Sequence, residues 1–221
     1  MAGRKRWSTD EILDVAAELL RTSDPDSFSL RKLAATLGTD SSSLYRHFRN
    51  KTELLRAVAD RILLAAMDGH RAEGDWKQRL TALALRLRDA FGSQPELAAV
   101  WGRYASSGTG SRLVMEEVLQ TLRASGLPDE EIPVRYHRLA VLIASLIASE
   151  ASAATPKERE QGLELFRVAV LGADPARFPA LAHFAREIRP LGTDRAAAFE
   201  EILAAHLAQI EAAVGHDAAD C

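Results

Sequence analysis

Lys51, His47, Tyr45 and the run Ser41-Ser42-Ser43 are the residues whose types and spacing point to chemistry, and that chemistry is hydrogen bonding to nucleic acid. An ammonium at the start of a helix converges with the free backbone N–H groups there on a single phosphate. A phenol and an imidazole can each reach phosphate oxygens, and a phenol can also reach a base edge. Serine hydroxyls donate or accept equally well, so a serine triplet discriminates bases poorly by itself. Bond-making chemistry has no comparable signal. There is no Gly-rich phosphate loop after a strand, no H-E-x-x-H, no C-x-x-C and no G-x-S-x-G. His47 has no second ligand at a metal-binding spacing. His137 and Glu150 are 13 positions apart, about 20 Å along a helix, and cannot share a site within it. The sequence therefore predicts no enzyme activity, no metal and no cofactor.

The stretch Ser29 to Lys51 positions these groups. Leu30, Leu33, Ala34 and Leu37 fall at i, i+3, i+4 and i+7, one buried helical stripe. Gly38 follows, where a helix can stop in the left-handed conformation. Asp40 is predicted to cap the next helix with its carboxylate, and that helix to run from Asp40 to Phe48. Leu44 and Phe48 then pack inward, leaving Ser41, Ser42, Ser43, Tyr45, Arg46 and His47 on the other faces. This is a helix-turn-helix pattern, with its second helix free to enter a major groove. Upstream, Ser8 and Glu11 form a capping box for a helix over Ser8 to Leu20, with Trp7 and Ile12 at the hydrophobic-staple positions. Phe28 plugs the small core and Ser29 caps the second helix. The basic arm ahead of Trp7 carries Arg4 and Arg6, suited to a minor groove. Downstream, Asn50 caps a helix to Met67 and Glu53 is predicted to return the bond.

The run LRKLAATLGTDSSSLYRHFRNKTELL resembles the DNA-binding motif of the tetracycline-repressor (TetR) family of bacterial transcription regulators, nearly residue for residue. The L-Y-R-H-F run and the lysine opening the next helix carry the match. The resemblance implies DNA contacts by Ser29 and His47 to phosphate, by Tyr45 to base or phosphate, and by Lys51 to phosphate. Family members often place proline and glycine near the serine triplet, so Ser41, Ser42 and Ser43 are a departure that bears on the operator sequence.

Apolar residues make up 47% and charged residues 27%, an ordinary globular balance, and abundant Ala and Leu favour an all-α fold. Net charge is −3, but of the 28 Lys+Arg and 31 Asp+Glu, 11 and 9 fall in residues 1–67. A mildly basic head on an acidic body suits docking one end on DNA. The sole cysteine, Cys221, rules out an intrachain disulfide and fits a reducing cytoplasm. No apolar run reaches the roughly 18–20 residues of a membrane span.

The polar stretch Asp68 to Asp75 separates a DNA-binding domain, 1–67, from a helical domain, 75–214, with a tail at 215–221. His70 in that stretch reads as a solvated loop residue. Helices are predicted from Asp75 through Phe91, over 96–105, over 111–125, over 129–153, from Thr155-Pro156 to Leu171, from Asp174-Pro175 through Ile188, and from 193 or 194 onward. Between them, Ser106 to Gly110 reads as a flexible turn. The 129–153 helix is apolar or small on nearly every side, the mark of a core element that also meets a second subunit. The segments GLPDEEI, TPKERE and ADPARFPALAHFA also resemble the ligand-binding and dimerisation domain of the tetracycline-repressor branch. That resemblance implies a homodimer through 131–153 and 194–213 and a small-molecule effector site. Phe91, Trp101, Tyr104, Met115 and His137 are the candidate lining residues. The stretch Trp101 to Arg112 lacks the histidine with which drug-chelating members hold a divalent metal, so a metal–tetracycline complex is a poor fit. The expectation is a repressor released from a palindromic operator by a small, largely apolar effector. The alternatives are an all-α enzyme or carrier without a DNA role, and a DNA-binding regulator or activator without an effector.

Overall fold

The computed structural model describes residues 6–22, 28–92, 94, 97–98, 101, 108–150, 156–185 and 195–217. Every regular element among the described residues is a helix, with no strand among them. The elements are α1 (Thr9–Thr22), α2 (Leu30–Thr36), α3 (Ser41–Leu44), α4 (Lys51–Met67), α5 (Trp76–Phe91), α6 (Thr109–Ala124), α7 (Ile132–Glu150), α8 (Pro156–Leu171), α9 (Pro179–Phe184) and α10 (Arg195–Asp217). They form two compact units, one of residues 1–151 with 202–221, the other of residues 152–201.

The amino-terminal helices assemble as their apolar stripes dictate. Ile12, Ala16, Phe28, Leu30, Leu33, Ala34, Leu37, Leu44 and Phe48 are all buried, Leu33 completely. Truncating a leucine so enclosed costs about 2–5 kcal/mol. Ser8 and Glu11 close the expected capping box, Ser8 N donating to Glu11 Oε2 at 2.9 Å and Glu11 N to Ser8 Oγ at 3.2 Å. Helix α2 stops at Gly38, whose φ is +63°. Gly38 N donates to Ala35 O and Thr39 N to Ala34 O, so two of the last carbonyls of the helix are satisfied by the turn itself.

Several expectations are corrected. The recognition helix is one turn, Ser41–Leu44, not Asp40 to Phe48. Arg46 N bonds to Ser43 O and His47 N to Leu44 O, three residues back, so the chain tightens beyond Leu44 and brings Phe48 inward. Asp40 stands at the N-cap without a side-chain cap bond. Its carbonyl closes the turn instead, accepting from Ser43 N at 2.9 Å. Asn50 Oδ1 caps α4 by accepting from Glu53 N at 2.8 Å, but Glu53 Oε2 accepts from Arg49 N at 2.7 Å rather than from Asn50. The His70 side chain is buried, its Nε2 3.9 Å from Glu117 Oε1, because Arg79 and Glu117 close over the loop that carries it. Asp174-Pro175 makes a turn, with Phe178 N donating to Asp174 O at 2.8 Å, and the following helix starts only at Pro179. Phe178 and Phe184 are exposed there. Thr109 and Gly110, expected in a flexible turn, open α6 instead. Most of the helix at 96–105, Ser106 and Ser107, Thr155, the end of the Asp174–Ile188 helix, residues 193 and 194, and Cys221 lie outside the described residues.

In the second half Asp75 and Gln78 form a full capping box at the start of α5. Helix α7 is 19 residues long with a mean hydropathy of 1.2, long and apolar enough by length and composition to cross a membrane, contrary to expectation. Leu139, Ile143, Ala144 and Ile147 nonetheless face the interior of the fold, while Val134 and Val141 are exposed. In the 152–201 unit Leu165, Phe166, Val168 and Leu171 of α8 are likewise exposed.

Near the middle of α10, His206 faces Arg135 and Arg138 of α7. Burial first, and then the two guanidiniums, hold its pKa below the ordinary value of 6.5. Arg135 is itself paired with Glu131 at 2.7 Å. The unfolded chain takes up the proton before the folded one, so this contribution to stability is full above about pH 6.5 and is lost as pH falls through the lower folded value. The thermal midpoint should therefore fall on acidification from about pH 7.5 to pH 5, and His206→Gln should shrink that fall. A His206→Gln midpoint with the same pH dependence as wild type would show that the imidazole carries no such linkage.

Candidate nucleic-acid interface and core cavity

The candidate DNA face is assembled by bonds over long sequence separations. Trp7 Nε1 donates to Leu37 O at 3.0 Å, tying the arm that bears Arg6 to the end of α2. Thr9 Oγ1 and His47 Nδ1 lie 3.0 Å apart and join the start of α1 to the recognition turn. In the tautomer that accepts from Thr9 at Nδ1, the imidazole N–H lies on Nε2, where it can donate a hydrogen bond to a phosphate. Ser29 Oγ accepts from Lys32 N at 3.2 Å, so its capping role is filled in the structure. Ser42 and Tyr45 are exposed, Tyr45 by 55%, while Ser41 and Ser43 are half-buried. Arg46 Nη2 donates to Ser43 Oγ at 3.1 Å. Lys51 begins α4 with its ammonium 5.5 Å from the centre of the Phe28 ring, a cation–π approach that fixes the amine beside the helix start. Arg6, Ser29, Ser41, Ser42, Ser43, Tyr45, His47 and Lys51 are thus all carried by α1–α4 and the residues that lead into them. Arg4 lies outside the described residues.

Helix α4 continues from that face into the body and is held there at two points. Asp60 caps α6. Gly110 N donates to Asp60 Oδ2 at 3.2 Å, and Ser111 N and Ser111 Oγ each donate to Oδ1 at 2.8 Å. A carboxylate at a helix N-terminus satisfies free N–H groups and meets the positive end of the helix dipole. The contact needs glycine: a Cβ at Gly110 would collide with the Asp60 carbonyl and the Leu64 backbone nitrogen, and one at Gly108 with the Asp60 carboxylate. At the other end, Arg86 of α5 donates through Nε to Ala66 O and through Nη2 to Asp68 O at 2.6 Å, placing a cation on the carbonyl end of α4. The pairs from Arg61 to Asp10 and Asp14, both 2.8 Å, are solvent-exposed and contribute little beside these.

Helices α5, α6 and α7 line a cavity of about 320 Å³ that is open to solvent beside Met115 and Val141. Its walls are apolar, with Leu83 and Leu87 from α5, Val114 and Val118 from α6 and Ile143 from α7 among them. Among the described residues no carboxylate, ammonium or guanidinium lines it; the polar side chains there are those of Ser111, Tyr136 and His137, with the Trp101 indole. Burial raises the pKa of the half-buried Tyr136, so its phenol stays protonated and can donate. Of the residues expected from sequence, Trp101, Met115 and His137 line the cavity. Phe91 does not line it. Fully buried, it stacks behind Trp101 with ring centres 5.2 Å apart and planes 7° from parallel. Tyr104 lies outside the described residues. Ser111 and Tyr136 escaped the sequence reading. Tyr136 sits beside His137 on the same helix and could have been weighed with it. Ser111 and Asp60 are 51 positions apart, and nothing local marks them as a pair. No cluster of three metal-ligating side chains occurs among the described residues.

The profile of the bacterial regulatory proteins of the tetR family matches residues 12–58, and that of the tetracyclin repressor-like C-terminal domain matches residues 69–214. The chain is 30% identical over 124 residues to the HTH-type transcriptional repressor DrrR1 of Streptomyces coeruleorubidus, a match covering 56% of this chain and 46% of that protein. The chain thus spans about half the length of that relative. A crystal structure of a putative transcriptional regulator from Streptomyces coelicolor A3(2) is 74% identical, with a TM-score of 0.81 over 95% of this chain and 99% of that one. The Streptomyces coelicolor TetR family protein ActR, solved in complex with actinorhodin, is 25% identical, with a TM-score of 0.80 over 96% of this chain and 100% of that one.

The α4–α6 contact makes a sharp prediction. Gly110→Ala should destabilise the protein by about 1–3 kcal/mol, since the new methyl meets backbone on two sides and cannot be absorbed by a side-chain shift. Gly162→Ala, mid-helix in α8 with open space around the added carbon, should be neutral or stabilising by up to about 1 kcal/mol. Urea midpoints of the two variants check this, and a Gly110→Ala midpoint at or above wild type would refute the close approach.

Proposed function

Because the chain belongs to the TetR family of bacterial regulatory proteins, we propose that it is a transcriptional repressor that a small, largely apolar effector releases from a palindromic operator. The observation that carries the DNA half of the reading is the placement of Ser42 and Tyr45, exposed on the recognition turn, just ahead of Lys51 at the start of α4. The head is residues 1–67 and the body residues 75–214. The recognition turn enters a major groove. Tyr45 and the serine triplet meet the bases, while Ser29, His47 and Lys51 take phosphates and Arg4 and Arg6 reach the minor groove.

Two copies act together. A palindrome presents half-sites about 34–36 Å apart, which a two-fold dimer matches. The segments 131–153 and 194–213 form the dimer contact. Val134 and Val141 of α7, the latter 52% exposed, and Ile202 of α10 supply apolar surface for it. The effector half rests on the uncharged, mainly apolar cavity and on the ligand complex of the similar ActR. An effector acts by binding one spacing of the two heads better than the other.

Selection of bound sequences from random duplex DNA tests the reading. A palindrome should be enriched. Lys51→Ala should weaken binding uniformly across sequences and lower the salt slope by about one, the signature of a lost phosphate contact. Tyr45→Phe should weaken the selected site by about threefold to tenfold, the worth of one hydrogen bond. No enrichment at low salt, where phosphate contacts are strongest, would overturn the DNA reading.

A further inference from the structure

We propose that the cavity takes a flat, uncharged hydroxyaromatic molecule whose O–H donates to Ser111 Oγ while its ring lies on Trp101. The proposal rests on the effector reading above and narrows it to a chemical class.

Three observations define that class. Charge is disfavoured first: among the described residues no carboxylate, ammonium or guanidinium lines the cavity, the His137 imidazole is its one basic group, and an unpaired buried charge is costly. The aromatic character comes from Trp101. One face of its indole is taken by Phe91, which is itself fully buried and holds the ring in place. The indole also lines the cavity, so a ring that this fixed partner meets there is favoured when it is itself aromatic. The hydroxyl comes from Ser111. Its proton is given to Asp60 Oδ1 at 2.8 Å, so toward the cavity it presents lone pairs alone. Ser111 therefore accepts and does not donate, and it calls for an O–H or N–H on the ligand. An uncharged phenol meets all three requirements. Tyr136 and His137 remain for a second oxygen at the other side of the ring. The bound hydroxyl is then one hydrogen bond from Asp60, which belongs to the helix that begins at Lys51.

The test uses the full-length protein and four probes: 2-naphthol, 2-methylnaphthalene, naphthalene-2-sulfonate and 1-decanol. Calorimetry reads binding, and retention on the selected operator reads release. The expected result is that naphthalene-2-sulfonate binds at least tenfold more weakly than 2-naphthol. Ser111→Ala should weaken 2-naphthol by about threefold to tenfold and leave 2-methylnaphthalene unchanged, as loss of one hydrogen bond requires. This variant keeps the backbone bonds from Gly110 and Ser111 to Asp60, and helix content by circular dichroism verifies its fold. Equal loss of both naphthalenes on Ser111→Ala, or equal binding of the sulfonate, overturns the proposal. If 1-decanol alone binds and frees the operator, the hydroxyaromatic class fails while the effector reading stands. If no probe binds and cavity-filling Ala140→Trp leaves operator affinity and thermal stability unchanged, both fail.

Discussion

The carboxylate of Asp60 is the constraint on which the rest depends. One side chain near the middle of α4 accepts three hydrogen bonds from the first turn of α6. Those bonds exist because glycines at 108 and 110 let two backbones meet where any Cβ would clash. Helix α4 therefore cannot be treated as a linker between separate parts. Its first residue lies at the DNA face, its middle is bonded to a helix that walls the cavity, and its last carbonyls are held by Arg86 of α5. Both helices that grip α4 also line the cavity. The contacts that hold α4 thus come from the same elements that wall the cavity, and under the effector reading they are the route from ligand to Lys51.

The same economy governs the DNA face. A one-turn recognition helix has too little length to hold its own orientation, since isolated short helices are marginal in water. Orientation comes from outside it. Leu44 and Phe48 anchor it in the core, His47 is bonded to Thr9 on α1, and the Trp7 indole ties the chain entering α1 to Leu37. The serine triplet adds little shape of its own. Under the proposed DNA reading, discrimination falls to Tyr45 and to the position of the turn rather than to the serines, whose hydroxyls are indifferent to donor and acceptor.

Much of this was legible in the sequence, for identifiable reasons. The Leu30, Leu33, Ala34, Leu37 stripe, the stop at Gly38 and the caps at Ser8, Ser29, Asn50 and Asp75 are local. Each depends on residues within one or two turns, and each appears in the structure. The errors were also local in kind but turned on competition. Asp40 has the right type for a cap, yet its own carbonyl closes the single turn that follows. Glu53 folds back as expected and bonds to Arg49 N instead of Asn50 N. What could not be read was long-range. The partnership of Asp60 with Ser111, the burial of His70 beside Glu117, and the role of Phe91 as a backing for Trp101 rather than a wall are set by packing between helices. In the sequence Asp60 is one more polar residue on a helix, and Ser111 one more serine after a flexible stretch.

Magnitudes decide whether such an arrangement can serve as a switch. Allosteric coupling in proteins commonly amounts to about 1–3 kcal/mol, with about 1.4 kcal/mol giving a tenfold change in affinity. A hydrogen bond to a charged group has a net worth of about 1.5–3 kcal/mol. The Asp60 cap contains three such bonds, so altering one of them lies on the scale of such coupling. A ligand held only by apolar walls would gain equally from any arrangement of α4 that left the cavity intact, and equal affinity for two states shifts neither. A ligand bonded to Ser111 is different in kind. It loads the oxygen whose proton Asp60 holds, and its affinity therefore depends on where α4 stands. Under the effector reading, apolar contacts set how tightly the ligand binds, and the single polar contact at Ser111 sets how much of that binding is transmitted to DNA.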